Sequence, residues 1–166
     1  MRHLEAADLD FVAGMLGHDE VMRFWPRIMS RAEAEEWIVR QHERYARDGY
    51  GYWLAVERAT GRPVGQAGLL AVDVDGQREI SLGYILHRPY WGRGFATEAG
   101  IACRDMVFNT YDAARVIALI RPENVPSRRV ADRMGMRPEN EVSYATFQHL
   151  VYVTDRVSQA LRATEG

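Results

Sequence analysis

An α+β fold, with one mixed and mostly antiparallel sheet flanked by helices, is what this sequence predicts. Three observations predict it. The first half holds three strand-like runs joined by short turns. The second half alternates strand and helix after a loop rich in glycine and proline. Of the 166 residues, 47% are apolar and 27% charged, the balance of a globular core rather than of a disordered chain. At this length the chain suits one domain over residues 1–166 and buries roughly 70% of its unfolded surface without a metal or disulfide staple.

The elements follow in order. Asp8 to about Leu16 reads as a short helix that stops near Gly17. Ser30-Arg31-Ala32-Glu33 is a capping box, in which serine and glutamate satisfy each other's amides. Ala34, Trp37, Ile38, Gln41 and Tyr45 then recur at helical spacing until Gly49. From Gly51 the period becomes that of strands: Tyr52 to Arg58, Val64 to Val74 and Glu79 to Leu86. Thr60-Gly61-Arg62-Pro63 and Asp75-Gly76 mark the turns between them. A loop spans His87 to Gly94, and a helix runs from Ala96 to about Thr110 with Ala99, Cys103, Met106 and Val107 on one side. Arg115 to Arg121 is a strand, and Pro126 to Met134 a helix ended by Gly135. A polar stretch, an apolar run from Phe147 to Val153 and a short last helix capped near Thr154-Asp155 complete the chain. Strand, helix and strand around the loop imply one parallel crossover.

Composition excludes several functions. The formal charge of −2 gives no bulk attraction to nucleic acid or to an anionic membrane. A single cysteine, Cys103, leaves no intrachain disulfide and no cysteine-rich zinc site, and no metal is expected. No apolar run reaches the length of about 18 residues that spans a bilayer, and the first residues lack the apolar core of a signal peptide. A cytoplasmic protein is expected. All 21 basic residues are arginine, which excludes Schiff-base chemistry and a P-loop lysine.

The informative segment is Tyr84-Ile85-Leu86-His87-Arg88-Pro89-Tyr90-Trp91-Gly92-Arg93-Gly94-Phe95-Ala96-Thr97-Glu98-Ala99. A strand ends, a glycine loop follows and a helix starts. Glycine lets backbone approach a ligand, and the amides at a helix start attract phosphate. The spacing also fits a tight turn without a ligand. It matches a dinucleotide loop poorly, because that loop follows the first strand of a parallel unit and this one follows a meander.

These residues resemble the GNAT superfamily of acetyl-CoA-dependent N-acetyltransferases, and within it the ribosomal-protein-alanine acetyltransferase type. Trp91-Gly92-Arg93-Gly94-Phe95-Ala96 fits the family's glycine motif, with Trp91 at the Gln/Arg place as in that subgroup. Asn124-Val125-Pro126-Ser127 resembles the subgroup's second motif, with Gly135 eleven places after Asn124. The resemblance runs from about Gly51 to Val153.

It implies a GNAT-like fold with a splayed strand pair that holds acetyl-CoA as cosubstrate. Backbone groups of Ile85, Leu86 and His87 would hold the pantetheine and the thioester carbonyl. Amides of Gly92, Arg93, Gly94, Phe95, Ala96 and Thr97 would carry the pyrophosphate, with a charge-assisted contact from Arg93. Asn124 would contact the cosubstrate from the other side. The amine acceptor, a peptide N-terminus or a small molecule, attacks the thioester directly. Glu79 is the first candidate for the general base and Glu141 the second, whereas the subgroup's usual acid position holds Ser81. The family's tyrosine acid is replaced by Ala131, and Ser127 takes that role or caps its helix. Cys103 is expected in the core. Trp25, Trp37, Tyr50, Tyr52 and Trp53 fall where family members build the acceptor pocket, though Trp37 reads as core. The family's opening strand is barely present before Leu4, and a homodimer is a common family state. A non-catalytic acyl-CoA-binding module on the same fold is the alternative.

Overall fold

Local signals start and stop the longest helix as the sequence demands. In the computed structural model, which describes residues 1–111 and 113–156, Glu33 N–H donates to Ser30 Oγ at 3.3 Å and Ser30 N–H to Glu33 Oε2 at 2.8 Å. The helix so capped runs Arg31–Asp48 and ends on left-handed Gly49. We label it α3, after α1 (Leu9–Leu16) and α2 (Asp19–Met22). Then come β1 (Tyr52–Val56), β2 (Pro63–Val74), β3 (Gln77–Leu86), α4 (Phe95–Thr110), β4 (Arg115–Ile120), α5 (Val125–Arg133), β5 (Arg137–Tyr144) and β6 (Phe147–Asp155). The strands pair in the order β1-β2-β3-β4-β6-β5. Only the β3–β4 pairing is parallel among the registers described, through Ser81 and Ile117, as the crossover requires. Among the described residues no helix is long and apolar enough to cross a membrane.

The chain divides into two compact units. The first comprises residues 1–68 and 84–99. Its core includes Leu4, Val12, Met15, Leu16, Ile38 and Leu54. Buried Gln41 ties α3 to β1: its Nε2 donates to the Trp37 carbonyl at 3.1 Å and its Oε1 accepts from Tyr52 N–H at 3.0 Å. The opening strand is reduced to a single bridge, in which Arg2 and Leu54 exchange both backbone hydrogen bonds. Asp8 holds the Arg2 guanidinium at 2.7 and 2.8 Å, and that hydrogen-bonded charge keeps its carboxyl below the usual range.

The second unit comprises residues 69–83 and 100–166. Val72, Ile117, Val142, Val151 and Val153 form its apolar cluster. Here the sequence reading needs correction. The polar stretch after Gly135 is a strand, β5, paired antiparallel with β6. It lies at the sheet edge, and Val142 is its one buried residue. An edge strand carrying Arg137, Pro138, Glu139 and Glu141 blocks further pairing, and it also lacks the alternation that betrays a strand. The expected last helix falls largely beyond Arg156, outside the described residues, and Thr154 and Asp155 belong to β6.

Gly65 on β2 is required by close approach. A Cβ there would meet Ile85 O at 2.4 Å and Leu86 Cα at 2.7 Å, both backbone atoms that cannot swing aside. Gly65→Ala is therefore expected to cost about 2 kcal/mol or more. Urea unfolding checks this, and an unchanged midpoint would refute it.

Candidate active site

Backbone hydrogen bonds decide where β3 stops. His87 N–H donates to Val64 O at 3.0 Å, and His87 O accepts from Tyr90 N–H at 3.0 Å. A single 3-10 turn, Arg88–Tyr90, follows with Pro89 inside it. Trp91 then folds back, its Nε1 donating to Leu86 O at 2.8 Å. The Arg88 guanidinium lies over the Trp91 ring at 4.8 Å and pairs with Glu20 at 2.5 Å. So Trp91, at the family's Gln/Arg place, staples the loop to the strand end.

Beyond that staple, Gly92 and Gly94 have φ of 74° and 86°, the left-handed region that favours glycine. Nothing lies within 4 Å of where either Cβ would be. Glu98 N–H donates to Gly94 O at 3.0 Å, which makes this the first bond of α4. Phe95, Ala96 and Thr97 therefore supply first-turn amides that the helix itself cannot use. Among the described residues the N–H groups of residues 92–97 meet no acceptor. Open space above exposed glycines, beside unused donors at the positive end of a sixteen-residue helix, fits a diphosphate.

The side chain of Arg93 turns elsewhere. It pairs with Glu57 and lies over Phe95 at 4.9 Å and Tyr90 at 5.5 Å. Glu57 is held below the usual carboxylate range, first by a hydrogen bond from Thr60 and then by Arg93.

The three strand-end residues do not contribute alike. A residue's N–H and C=O point to one side of a strand and the next residue's to the other. His87 N–H is spent on Val64, and Ile85 O faces β2 at Gly65. Leu86 points the opposite way, with its carbonyl taken by Trp91. Of the three, Leu86 N–H is the donor directed away from β2.

In the second unit, α5 is capped by Asn124, whose Oδ1 accepts from Ser127 N–H at 3.2 Å. Asn124 thus fills the capping role that the sequence left open for Ser127. Ser127 sits half-buried in the first turn, and Ala131, at the family's tyrosine place, is fully buried. Glu79 lies in a cavity of about 210 Å³ with Arg115 and Glu139. Two Arg115 nitrogens, Nε (3.0 Å) and Nη2, converge on Glu79 Oε1, and a third, Nη1, reaches Glu139 Oε2 at 2.9 Å. The Glu79 side chain is 10% exposed. Glu141 is exposed on β5. Cys103 is fully buried, and desolvation pushes its thiol up to about 12, so it stays neutral.

Some of this was not legible in the sequence. The Arg93–Glu57 and Arg115–Glu79 pairs each join residues 36 positions apart, and no local pattern announces such partners.

The α+β sheet has one parallel crossover, and its helix is entered through the Gly92–Gly94 loop. A family model, the acetyltransferase (GNAT) domain, matches residues 1–137, and the chain belongs to that family of acetyltransferases. YkkB, an uncharacterized protein of Bacillus subtilis (strain 168), is 32% identical over 137 residues, 82% of this chain and 80% of that one. A GNAT-family acetyltransferase from Bacillus anthracis shares the fold at TM-score 0.80 and 21% identity, covering 93% of this chain and 92% of its own. Aminoglycoside acetyltransferase AAC(6')-Ib, solved with coenzyme A, does so at TM-score 0.81 and 18% identity, covering 99% and 98%.

His87 generates a pH prediction. Burial, and secondarily the charge of His18, lowers its pKa below the ordinary 6.5. Its ring packs edge-on to Phe11 at 5.6 Å. The folded chain thus resists a proton that the unfolded chain accepts, so this contribution is present above pH 6.5 and is lost as pH falls through the lower folded value. The melting temperature should drop between about pH 7 and pH 5, and His87→Gln should make that drop shallower. Parallel curves for the two proteins would show that His87 plays no part.

Proposed function

We propose that this acetyltransferase moves the acetyl group of acetyl-CoA to a primary amine, on a protein N-terminus or a small molecule, by direct attack. One observation carries the reading: six consecutive amides, Gly92 to Thr97, meet no acceptor among the described residues and lie beside two glycines with open space above them. When bound, acetyl-CoA supplies an activated thioester carbonyl. The amides of residues 92–97 hold its diphosphate, and Leu86 N–H is the strand donor for the pantetheine or the carbonyl oxygen. Arg93 serves the loop through Glu57, keeping the backbone in place, rather than adding charge to the diphosphate. Asn124 Oδ1 is committed to the helix cap, so its Nδ2 is the group that reaches the cosubstrate. Ser127 gives a proton to the departing thiolate.

The base has light work if the acceptor is an α-amine. Delivering a lysine-like ammonium neutral at pH 7 costs roughly 4.6 kcal/mol, against about 1 kcal/mol for an α-amino group of pKa about 7.7–8.0. Glu79 keeps Oε2 for a proton or a bridging water while Arg115 occupies Oε1. The motif from Trp91 to Ala99 supports the ribosomal-protein-alanine type and hence a protein N-terminus. The aminoglycoside enzyme of the same fold keeps amino sugars on the list of acceptors to try. The buried Ala131, where a tyrosine acid is usual, favours the second reading of a non-catalytic acyl-CoA-binding module.

Calorimetry with CoA and thiol release from acetyl-CoA across peptide and small amines test the proposal. Binding heat and amine-dependent thiol release are expected. Ser127→Ala should lower kcat about tenfold or more without weakening acetyl-CoA. Glu79→Gln should lower kcat about tenfold or more, and Glu141→Gln should leave it unchanged. Heat without turnover would select the binding module; no heat in folded protein would overturn the reading.

A further inference from the structure

Among the described residues one buried side-chain polar atom lacks a partner: Nε2 of Gln66. Gln66 is fully buried on β2, opposite Leu54 of β1. Its orientation is fixed, because Oε1 accepts from Trp37 Nε1 at 2.8 Å. Turning the amide over would set N–H against N–H. The neighbouring buried amide is satisfied at both ends, since Gln41 donates to the Trp37 carbonyl and accepts from Tyr52 N–H. The Trp37 ring contacts Tyr52 at 5.4 Å and Trp25 at 6.1 Å. Trp25 lies between α2 and α3, outside helix and strand, and it is the one of these three rings that is only half-buried. The first unit thus holds a buried nitrogen whose two N–H groups are unused among the described residues, beside three aromatic rings of which only Trp25 is half-buried. An apolar residue of this volume would fill the position with no donor to satisfy.

We infer that Gln66 determines acceptor specificity: its Nε2 donates to a carbonyl or hydroxyl oxygen carried close to the acceptor's amine, while Trp25, Trp37 and Tyr52 pack the acceptor's apolar part. The inference rests on the acetyltransferase reading above. A neutral donor in an enclosed place suits a neutral oxygen, because a carboxylate there would be desolvated without a counter-charge. An amine without such an oxygen leaves the donor unpaired, and a site of that kind discriminates strongly. The acceptor class is therefore α-amino amides, as at a peptide N-terminus, and amino alcohols. Plain alkylamines and polyamines are disfavoured.

Three amines of similar shape separate the cases: alaninamide with a carbonyl, 2-aminopropan-1-ol with a hydroxyl, and 2-aminobutane with neither. The readout is kcat/KM of Gln66→Leu relative to wild type for each amine, so that amine basicity cancels. A loss of about tenfold is expected for whichever oxygen the site reads, carried in KM, with 2-aminobutane and the calorimetric affinity for acetyl-CoA unchanged. Gln66→Met replaces the leucine variant if that one does not fold. The wild type also reads the question alone, through a lower KM, counted as neutral amine, for an oxygen-bearing acceptor than for 2-aminobutane. Equal losses on all three amines, no loss, or a wild type indifferent to the oxygen would overturn the inference while leaving the acetyltransferase reading intact. Absent acetyl-CoA binding would instead remove that reading and this one with it.

Discussion

Backbone polar groups at a strand end must be satisfied, and the way residues 85–91 satisfy theirs fixes what the loop can do. Val64 takes the His87 N–H, and Trp91 takes the Leu86 carbonyl. Among the described residues, the N–H groups of Gly92 to Thr97 meet no acceptor. Three of these donors, on Phe95, Ala96 and Thr97, belong to the first turn of α4, which has no acceptor for them within the helix. Arg93 sharpens the point. Its guanidinium is drawn to Glu57, so the local cation is neutralised within the protein. Any anion held here is held by amides and the helix dipole, which are fixed in direction, rather than by a flexible charge.

The parts of the fold that sequence reveals are those set by neighbours in the chain. The capping box at Ser30, the stop at Gly49 and the hairpin at Asp75-Gly76 all involve residues within a few positions, and each stands where the sequence puts it. The strand β5 was opaque for two physical reasons. Its exposed, charged edge gives no alternation, and its hairpin turns on Ala145 and Thr146, both at positive φ without a glycine to signal it. The glycine loop was legible as a candidate anion site, yet the partners of Arg93, Glu79 and Gln66 were not, because each lies on another element. Asn124 illustrates the middle case: the motif was visible, but which of its residues caps the helix required the hydrogen bond itself.

A chain with arginine as its only long cation uses the guanidinium plane twice. Arg88 joins Glu20 and covers Trp91; Arg93 joins Glu57 and covers Phe95; Arg121 joins Glu123 and covers Phe147 at 4.1 Å. A lysine ammonium makes the ion pair as a point charge and lacks the flat face that stacks on a ring. Two of these three arginines flank the glycine loop, where a side chain that is braced on both counts keeps the backbone donors aimed. That organisation favours preorganised binding, in which little order remains to be imposed when a ligand arrives.

The two demands on the acceptor converge. Glu79 has one oxygen taken by Arg115, and as the proposed base it would suit an amine which loses its proton easily. Gln66 Nε2 is a buried donor without a partner, and in the inference drawn above it pairs with a neutral oxygen. A carbonyl or hydroxyl close to the nitrogen meets both conditions, because the same electronegative group that accepts from Gln66 also withdraws electrons from the amine and lowers its pKa, as an α-amino group at about 7.7–8.0 lies below a side-chain ammonium at about 10.4. A long alkyl or polyamine chain meets neither: it stays protonated near neutral pH and leaves the amide of Gln66 unpaired. Within the proposed function, acid–base chemistry and acceptor shape thus favour the same class of amine.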